Sequence, residues 1–390
     1  MTGVMIGVDP HKASHTAVAV SPGEEPLGQV RVRSSVVQAR RLLEWAAPWP
    51  ERSWAVEGAG GLGHLLAQQL VAAGERVLDV QPKLAARVRL LADEAVNKND
   101  PNDARSIAVT ALRSRTVREV APDDHCAVLK MWSRRHHDLA RNRTRIACRL
   151  HAALCELVPG GIAREITAAG AARFLDQVAP SGTVQQARRE LAADLLEDLR
   201  RADEQLRETH KKLAVAVQAA GTTLTGIFGV GPVIAATVIG EAGDVSRFAG
   251  RDAFAAYNGT APIEVSSGRR KVYRLSLRGN RRLNHAAHMT AVTQVRYAHS
   301  EGRVYYEKKI AEGKTGKEAL RSLKRQVSDA FYKHLKADAA RAAGSAKDPG
   351  GHAGNDSGAS VADSHPRMPA LRQSHSRTNA HPTVTATAAE

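Results

Sequence analysis

Aromatic residues make up only 4% of this 390-residue chain, and there are just 3 cysteines. So few rings argue against a surface that stacks many bases. The cysteines, Cys126, Cys148 and Cys155, are odd in number and lack zinc-site spacing, which excludes a disulfide framework and fits core packing in a reducing compartment. No apolar run approaches the roughly 20 residues that cross a bilayer, and the first residues alternate instead of forming a signal peptide. A cytoplasmic protein is expected, without a membrane partner. Acids are also short: 40 Asp+Glu face 56 Lys+Arg, a formal charge of +16. That excess calls for a polyanionic partner. Hydrophobic residues reach 43%, largely Ala, Val and Leu, so a core is available, and the length suits two or three domains.

The periodicity predicts strands at 4–8, 15–20 and 28–33, then a helix over 36–46 that ends near Pro48 and Pro50. Strand, helix, strand, helix follow at 54–56, 62–73, 76–80 and 83–92, with Gly74 as a stop signal. This is the order of an RNase H-like α/β sheet. Charged, helix-forming stretches at 124–157 and 183–217 suit a long antiparallel helical pair, broken at Pro159-Gly160-Gly161 and Pro180-Ser181-Gly182. Residues 224–335 read as a mainly α region with glycine turns, and the composition then shifts to Ala, Gly, Ser, His, Pro and Thr without periodicity. The expected domains are therefore 1–120, 121–220 and 221–336, with a disordered tail over 337–390.

Asp9 closes the first apolar strand, at the sheet edge where open α/β folds build their sites, and Glu57 closes Trp54-Ala55-Val56 in the same way. Asp100 and Asp103 are three residues apart and share a helical face. Like charges about 4 Å apart repel by roughly 4 kcal/mol at an effective dielectric near 20, so four such acids need protons, a basic partner or divalent cations. Mg²⁺ suits a chain that handles phosphates. Asp100 before Pro101 also reads as a helix cap, and a cap can bind metal as well. Gly58-Ala59-Gly60-Gly61-Leu62-Gly63, with Asp79 downstream, matches a dinucleotide fingerprint. It follows the wrong strand for one, and reads better as a tight turn that leaves Glu57 accessible.

Ile227-Phe228-Gly229-Val230-Gly231-Pro232 is similar to the hairpin of a helix-hairpin-helix element, with Gly229 and Gly231 turning backbone N–H groups towards a DNA phosphate. The alternative is a glycine turn between packed helices. Beyond Ser266-Ser267-Gly268 come Arg269, Arg270, Lys271, Arg274, Arg278, Arg281 and Arg282, with no acid before Ser300. This is the densest basic stretch, a candidate nucleic-acid contact. A serine beside it can bind phosphate, form a turn or attack phosphorus, and His285 and His288 can act as bases, pack or bind phosphate.

The order Asp9, Glu57, Asp100 and Asp103, then the glycine hairpin, then Gly-x-x-Pro ahead of Ser-Gly, resembles the transposases of the insertion sequence 110 family. The likeness covers about residues 3–335, and its one small departure is Asn99, where the family commonly has threonine. It implies a RuvC-like N-terminal domain, a coiled-coil middle and a C-terminal transposase domain. It further implies DNA recombination guided by a bridge RNA, with Mg²⁺ held by Asp9, Glu57, Asp100 and Asp103. Ser267, or its neighbour Ser266, would be the nucleophile that joins covalently to DNA. The partners implied are donor and target DNA, the bridge RNA and further copies of the chain in a dimer or tetramer, in the bacterial cytoplasm at the nucleoid. The alternatives are a RuvC-like nuclease that uses metal-activated water, and a non-catalytic RNA- or DNA-binding protein.

Overall fold

Alternating apolar residues build the first half of the chain. In the computed structural model, which describes residues 3–91, 100–114, 117–163, 165–267, 270–275 and 279–345, they form β1 (Val4–Pro10), β2 (Ser14–Val20), β3 (Pro26–Arg33), α1 (Gln38–Trp45) and β4 (Arg52–Glu57). α2 (His64–Ala72), β5 (Val77–Val80), α3 (Pro82–Leu91), α4 (Asp100–Arg113) and the short β6 (Arg118–Glu119) follow. The sheet runs β3-β2-β1-β4-β5-β6. β1, β2 and β3 are antiparallel neighbours, whereas β1–β4 and β4–β5 are parallel. That order and mixture of directions is an RNase H-like α/β fold. β6 is too short for periodicity to reveal and adds antiparallel to β5.

The two faces of the sheet bury different helices. Ile6, Val8, Trp54 and Val56 pack with Leu42 of α1 and with Leu66 and Leu70 of α2. Met5, Ala55, Leu78 and Val80 pack with Ala104, Ile107, Ala108 and Ala111 of α4. Gly7 decides how close α4 comes. A Cβ there would lie 2.0 Å from the Ala104 carbonyl oxygen and 2.6 Å from the Ala108 nitrogen, so the α4 backbone rests directly on β1.

Two long helices lead away from this sheet, α5 (His125–Leu157) and α7 (Gly182–Ala219), with α6 (Ala168–Asp176) between them. Leu150 and Leu154 of α5, Leu175 of α6, and Leu195 and Leu199 of α7 share one core. Asp124 caps α5 by accepting from the Cys126 N–H, and Thr167 caps α6 from Gly170. Cys148 is exposed rather than packed, because its helical position faces away from α7.

The rest comprises α8 (Pro232–Ala242), α9 (Arg251–Asn258), β7 (Pro262–Ser267), β8 (Arg270–Leu275), α10 (Arg281–Arg296), α11 (Glu301–Ala311) and α12 (Gly316–Ser345). Its core joins Leu129 of α5 and Leu213 of α7 to Ala235, Phe254, Leu283, Leu323 and Phe331. The mainly helical expectation holds here except for the β7–β8 hairpin. The boundary expected at residue 337 is corrected, because α12 continues to Ser345 on a run of helix-forming alanines; the rest of the tail lies outside the described residues. Met1–Ala342 forms one compact unit, and among the described residues the second, from Ala343, holds only the end of that helix. No helix among the described residues is long and apolar enough to cross a membrane.

The contact at Gly7 sets the first test. Gly7→Ala should destabilise the fold by about 3 kcal/mol or more in urea unfolding, since the clash is with backbone. Wild-type stability in that variant would mean that α4 is not seated on β1.

Candidate acid site and nucleic-acid surface

Period two along β1 puts Met5, Gly7 and Asp9 on the face that α4 covers, and the same period along β4 puts Glu57 there with Ala55. Val8 pairs with Val56 in parallel register, so Asp9 and Glu57 end adjacent strands at one edge. On α4, Asp100 and Asp103 extend the buried stripe Ala104, Ile107, Ala108 and Ala111 by one turn, which directs both acids at that edge. They also occupy the first helical turn, where the helix dipole favours negative charge.

Asp9 is 6% exposed. Its Oδ2 lies 2.9 Å from Nε2 of His11, which stands 3.7 Å from Oδ1 of Asp100; Nη2 of Arg31 lies 3.7 Å from the other Asp100 oxygen. Donor atoms of Asp9, His11 and Asp100 all fall within 4.8 Å of one another. Burial raises the Asp9 pKa above the usual carboxylate value, His11 opposes that, and the charges of Asp103 and Asp100 add to it. Glu57 is half-buried, and both it and Asp103 have interaction partners.

His11 is the residue that sequence reasoning missed. It lies just past the end of β1, in a loop where strand periodicity gives no guide to its side chain. An imidazole between two carboxylates occupies the place of a cation, and hard oxygen donors around a desolvated carboxyl fit a divalent ion. A second grouping, Asp124, His125 and Cys126, fits poorly, since Asp124 caps α5 and burial pushes the Cys126 thiol up to about 12.

The glycine run after β4 has a structural role. Asp79 Oδ1 accepts from the Ala59 N–H at 2.9 Å, which ties the turn to β5 instead of leaving the carboxylate for a ribose. A Cβ on Gly63 would lie 2.6 Å from Val56 Cγ1 and 3.1 Å from Pro10 Cγ, so its absence lets α2 start against the end of β1.

In the second half of the chain, Ser267 ends β7 opposite Arg270, and Ser266 stands opposite Lys271. Both serines are thus in register with cations of β8. Arg269 and Arg278 lie outside the described residues, as do the side chains of the two serines and of Arg270, Lys271 and Arg274. Arg281 and Arg282 open α10, and with His285 they face His137, Arg141 and Thr144 of α5 across a cavity of about 680 Å³. Burial lowers the His137 pKa, and the charges of His285, His136, Arg282 and Arg141 lower it further. The two glycines of the hairpin differ. Gly229 (φ 86°) is packed, since a Cβ would lie 3.2 Å from the Thr290 carbonyl oxygen, whereas Gly231 has open space and caps α8 with no side-chain hydrogen bond.

An RNase H-like sheet with acids gathered at its carboxyl edge defines a class of nucleic-acid-processing enzymes. A transposase family model matches residues 6–159, and the model described as Transposase IS116/IS110/IS902 family matches residues 221–307. The chain belongs to the IS110 family of transposases. It is 27% identical over 382 residues to the 44.8 kDa protein of insertion element IS116 from Streptomyces clavuligerus, covering 85% of this chain and 94% of that one. To the 42 kDa protein of insertion element IS900 from Mycobacterium paratuberculosis it is 24% identical over 395 residues, covering 85% and 96%. Among solved structures, Thermus thermophilus RuvC in complex with a Holliday junction substrate aligns with 30% of this chain and 99% of its own at 20% identity and a TM-score of 0.26. A second Thermus thermophilus RuvC structure aligns likewise, at 19% identity and 0.24. The fold assignment rests on the strand order described above.

Because the folded chain holds the Asp9 proton to a higher pH than the unfolded one, stability falls as pH rises from the ordinary value of 3.8 through the folded pKa. With divalent ions chelated, Asp9→Asn should therefore raise Tm at neutral pH, and the gain should vanish near pH 4. A lower Tm at neutral pH would count against a buried, uncompensated charge.

Proposed function

We propose that this transposase cuts and rejoins DNA with a site made of two parts, the Asp9–Glu57–Asp100–Asp103 edge and a serine nucleophile at Ser267. The observation that carries this reading is the burial of Asp9 beside His11 and Asp100 at the end of β1. Mg²⁺ held by those acids would supply the positive charge that polarises a phosphodiester. The chain's own residues do the rest. Asp9 is fixed by β1 and by its hydrogen bond with His11, and Asp100 and Asp103 are fixed by α4 on Gly7.

A serine hydroxyl is a weak nucleophile at neutral pH and needs activation. In the first step Ser267 Oγ forms a bond to phosphorus, its proton passes to a base, and the P–O bond to a deoxyribose oxygen breaks, that oxygen leaving protonated. In the second a hydroxyl of another strand displaces the serine and restores the phosphodiester. The number of P–O bonds is conserved, so rejoining needs no external energy source, whereas attack by water would only cut. Guidance by a bridge RNA, assembly as a dimer or tetramer whose subunits share the site, a coiled-coil role for α5 and α7, and action at the nucleoid extend this reading. The basic excess, the cavity between α5 and α10, and the open N-terminus of α8 at Gly231 support nucleic acid as the partner.

Ser267→Ala should abolish the covalent protein–DNA adduct on denaturing gels and lower strand transfer at least about 10³-fold. An adduct lost in Ser266→Ala instead would move the role by one residue, and cleavage without any adduct in wild type would make the enzyme a hydrolytic nuclease. Asp9→Asn and Glu57→Gln should each reduce cleavage at least about 100-fold in Mg²⁺ while DNA binding persists; undiminished cleavage in either removes the acid site from the mechanism. Arg281→Ala and Arg282→Ala should each flatten the slope of log affinity against log salt by about 1 if they neutralise a phosphate. An unchanged slope would place the strand elsewhere.

A further inference from the structure

Phe228, Tyr297 and His299 form a cluster of three rings at the surface, in a chain with few rings to spare. Phe228 lies 5.5 Å from Tyr297 and 5.2 Å from His299 between centroids, and Tyr297 lies 5.8 Å from His299. The interplanar angles are 73°, 87° and 63°, so no ring is sealed by a parallel partner. Phe228 is 39% exposed and Tyr297 50%, whereas Phe248, Phe254 and Phe331 are buried in the core.

The cluster borders a cavity of about 630 Å³, of which Phe228 and His299 form one side and Gln294, Glu301, Gln326 and His334 supply polar groups. Its framework is held in place. Gln294 Nε2 donates to the Phe228 carbonyl at 2.9 Å, Ser300 Oγ donates to the Gln294 carbonyl at 2.5 Å, and a Cβ on Gly302 would lie 2.1 Å from Gln294 Oε1. Neither lysine nor arginine is among the residues that line the cavity. A phosphate is thus a poor occupant, and a flat, neutral group with hydrogen-bonding edges is a good one. Side-chain amides and carboxylates are among the groups that read base edges. Three residues from Phe228 stands Gly231, the open cap of α8, suited to the phosphate that would accompany such a base.

We propose that this cavity receives one unpaired nucleobase of a bound nucleic-acid strand, seated against Phe228 and His299, which Tyr297 braces from outside the cavity, and hydrogen-bonded at its edge by Gln326, Glu301 or His334. The proposal rests on the reading of this chain as a nucleic-acid enzyme. One flipped base per chain requires few rings, which suits this composition.

The full-length protein is titrated with single-stranded DNA, single-stranded RNA and duplex DNA, each carrying 2-aminopurine. Wild type should quench the probe in a single strand, and the strand quenched, DNA or RNA, identifies the source of the base. Phe228→Leu and Tyr297→Leu should abolish the quench and weaken single-strand binding about tenfold, with duplex binding and Tm unchanged. Gln326→Ala, at an exposed position, should keep the quench but alter the preference among bases. Quenching and affinity that match wild type in all three variants overturn the base site alone. Equal losses for single strand and duplex together with a lower Tm also overturn it, since the rings would then only brace the hairpin. If wild type binds none of the three nucleic acids, the broader reading fails with it.

Discussion

The seat of α4 on β1 is the contact on which the acid site depends. With no side chain at Gly7, the helix backbone meets the strand, and the first turn of α4 is carried to the point where β1 ends in Asp9. A helix held away by even an ordinary side chain would carry Asp100 and Asp103 further from Asp9. Close approach creates the electrostatic problem as well. Several carboxylates in a partly desolvated corner repel, and that repulsion is what makes the corner selective for cations. The guanidinium of Arg31 near Asp100 and the hydrogen bond between His11 and Asp9 relieve part of it.

The proposed nucleophile has a different mechanical setting. Ser267 ends a strand of a two-stranded hairpin, and neither strand packs extensively against another element among the described residues. A pair of strands without a third is marginal alone, so the hairpin's position depends on what it meets. A rigid acid edge and a serine on a lightly supported hairpin suit a reaction in which the second group arrives only with substrate or another subunit. Cleavage would then await assembly, a useful restraint on a transposase.

Much of the N-terminal sheet was legible because burial on alternate positions leaves a strict trace in sequence. Asp9 and Glu57 could be read as strand ends, and Asp100 with Asp103 as one helical face. Their grouping was expected from their chemistry and from the family resemblance, but the contact that produces it was not, since nothing local indicates that Gly7 faces Ala104. His11 escaped because a histidine in a loop carries no periodic signal. β7 and β8 escaped because the string of arginines and lysines from Arg269 reads as solvated loop, and cross-strand pairing lies between residues rather than along them. Asp79 looked like a ribose ligand by spacing alone, and only the hydrogen bond to Ala59 shows that it holds a turn.

A low share of rings does argue against stacking along a whole strand, and most of the larger rings are in fact spent on the core. Three that converge from the 228 turn and the end of α10 are enough for a single base, and their separation in sequence hides them from any local reading. Charge is divided in a corresponding way: arginines line the cavity between α5 and α10, whereas the cavity beside Phe228 has none. A polymer with anionic links and neutral bases matches that division, because each surface desolvates only the part of the strand that it can compensate.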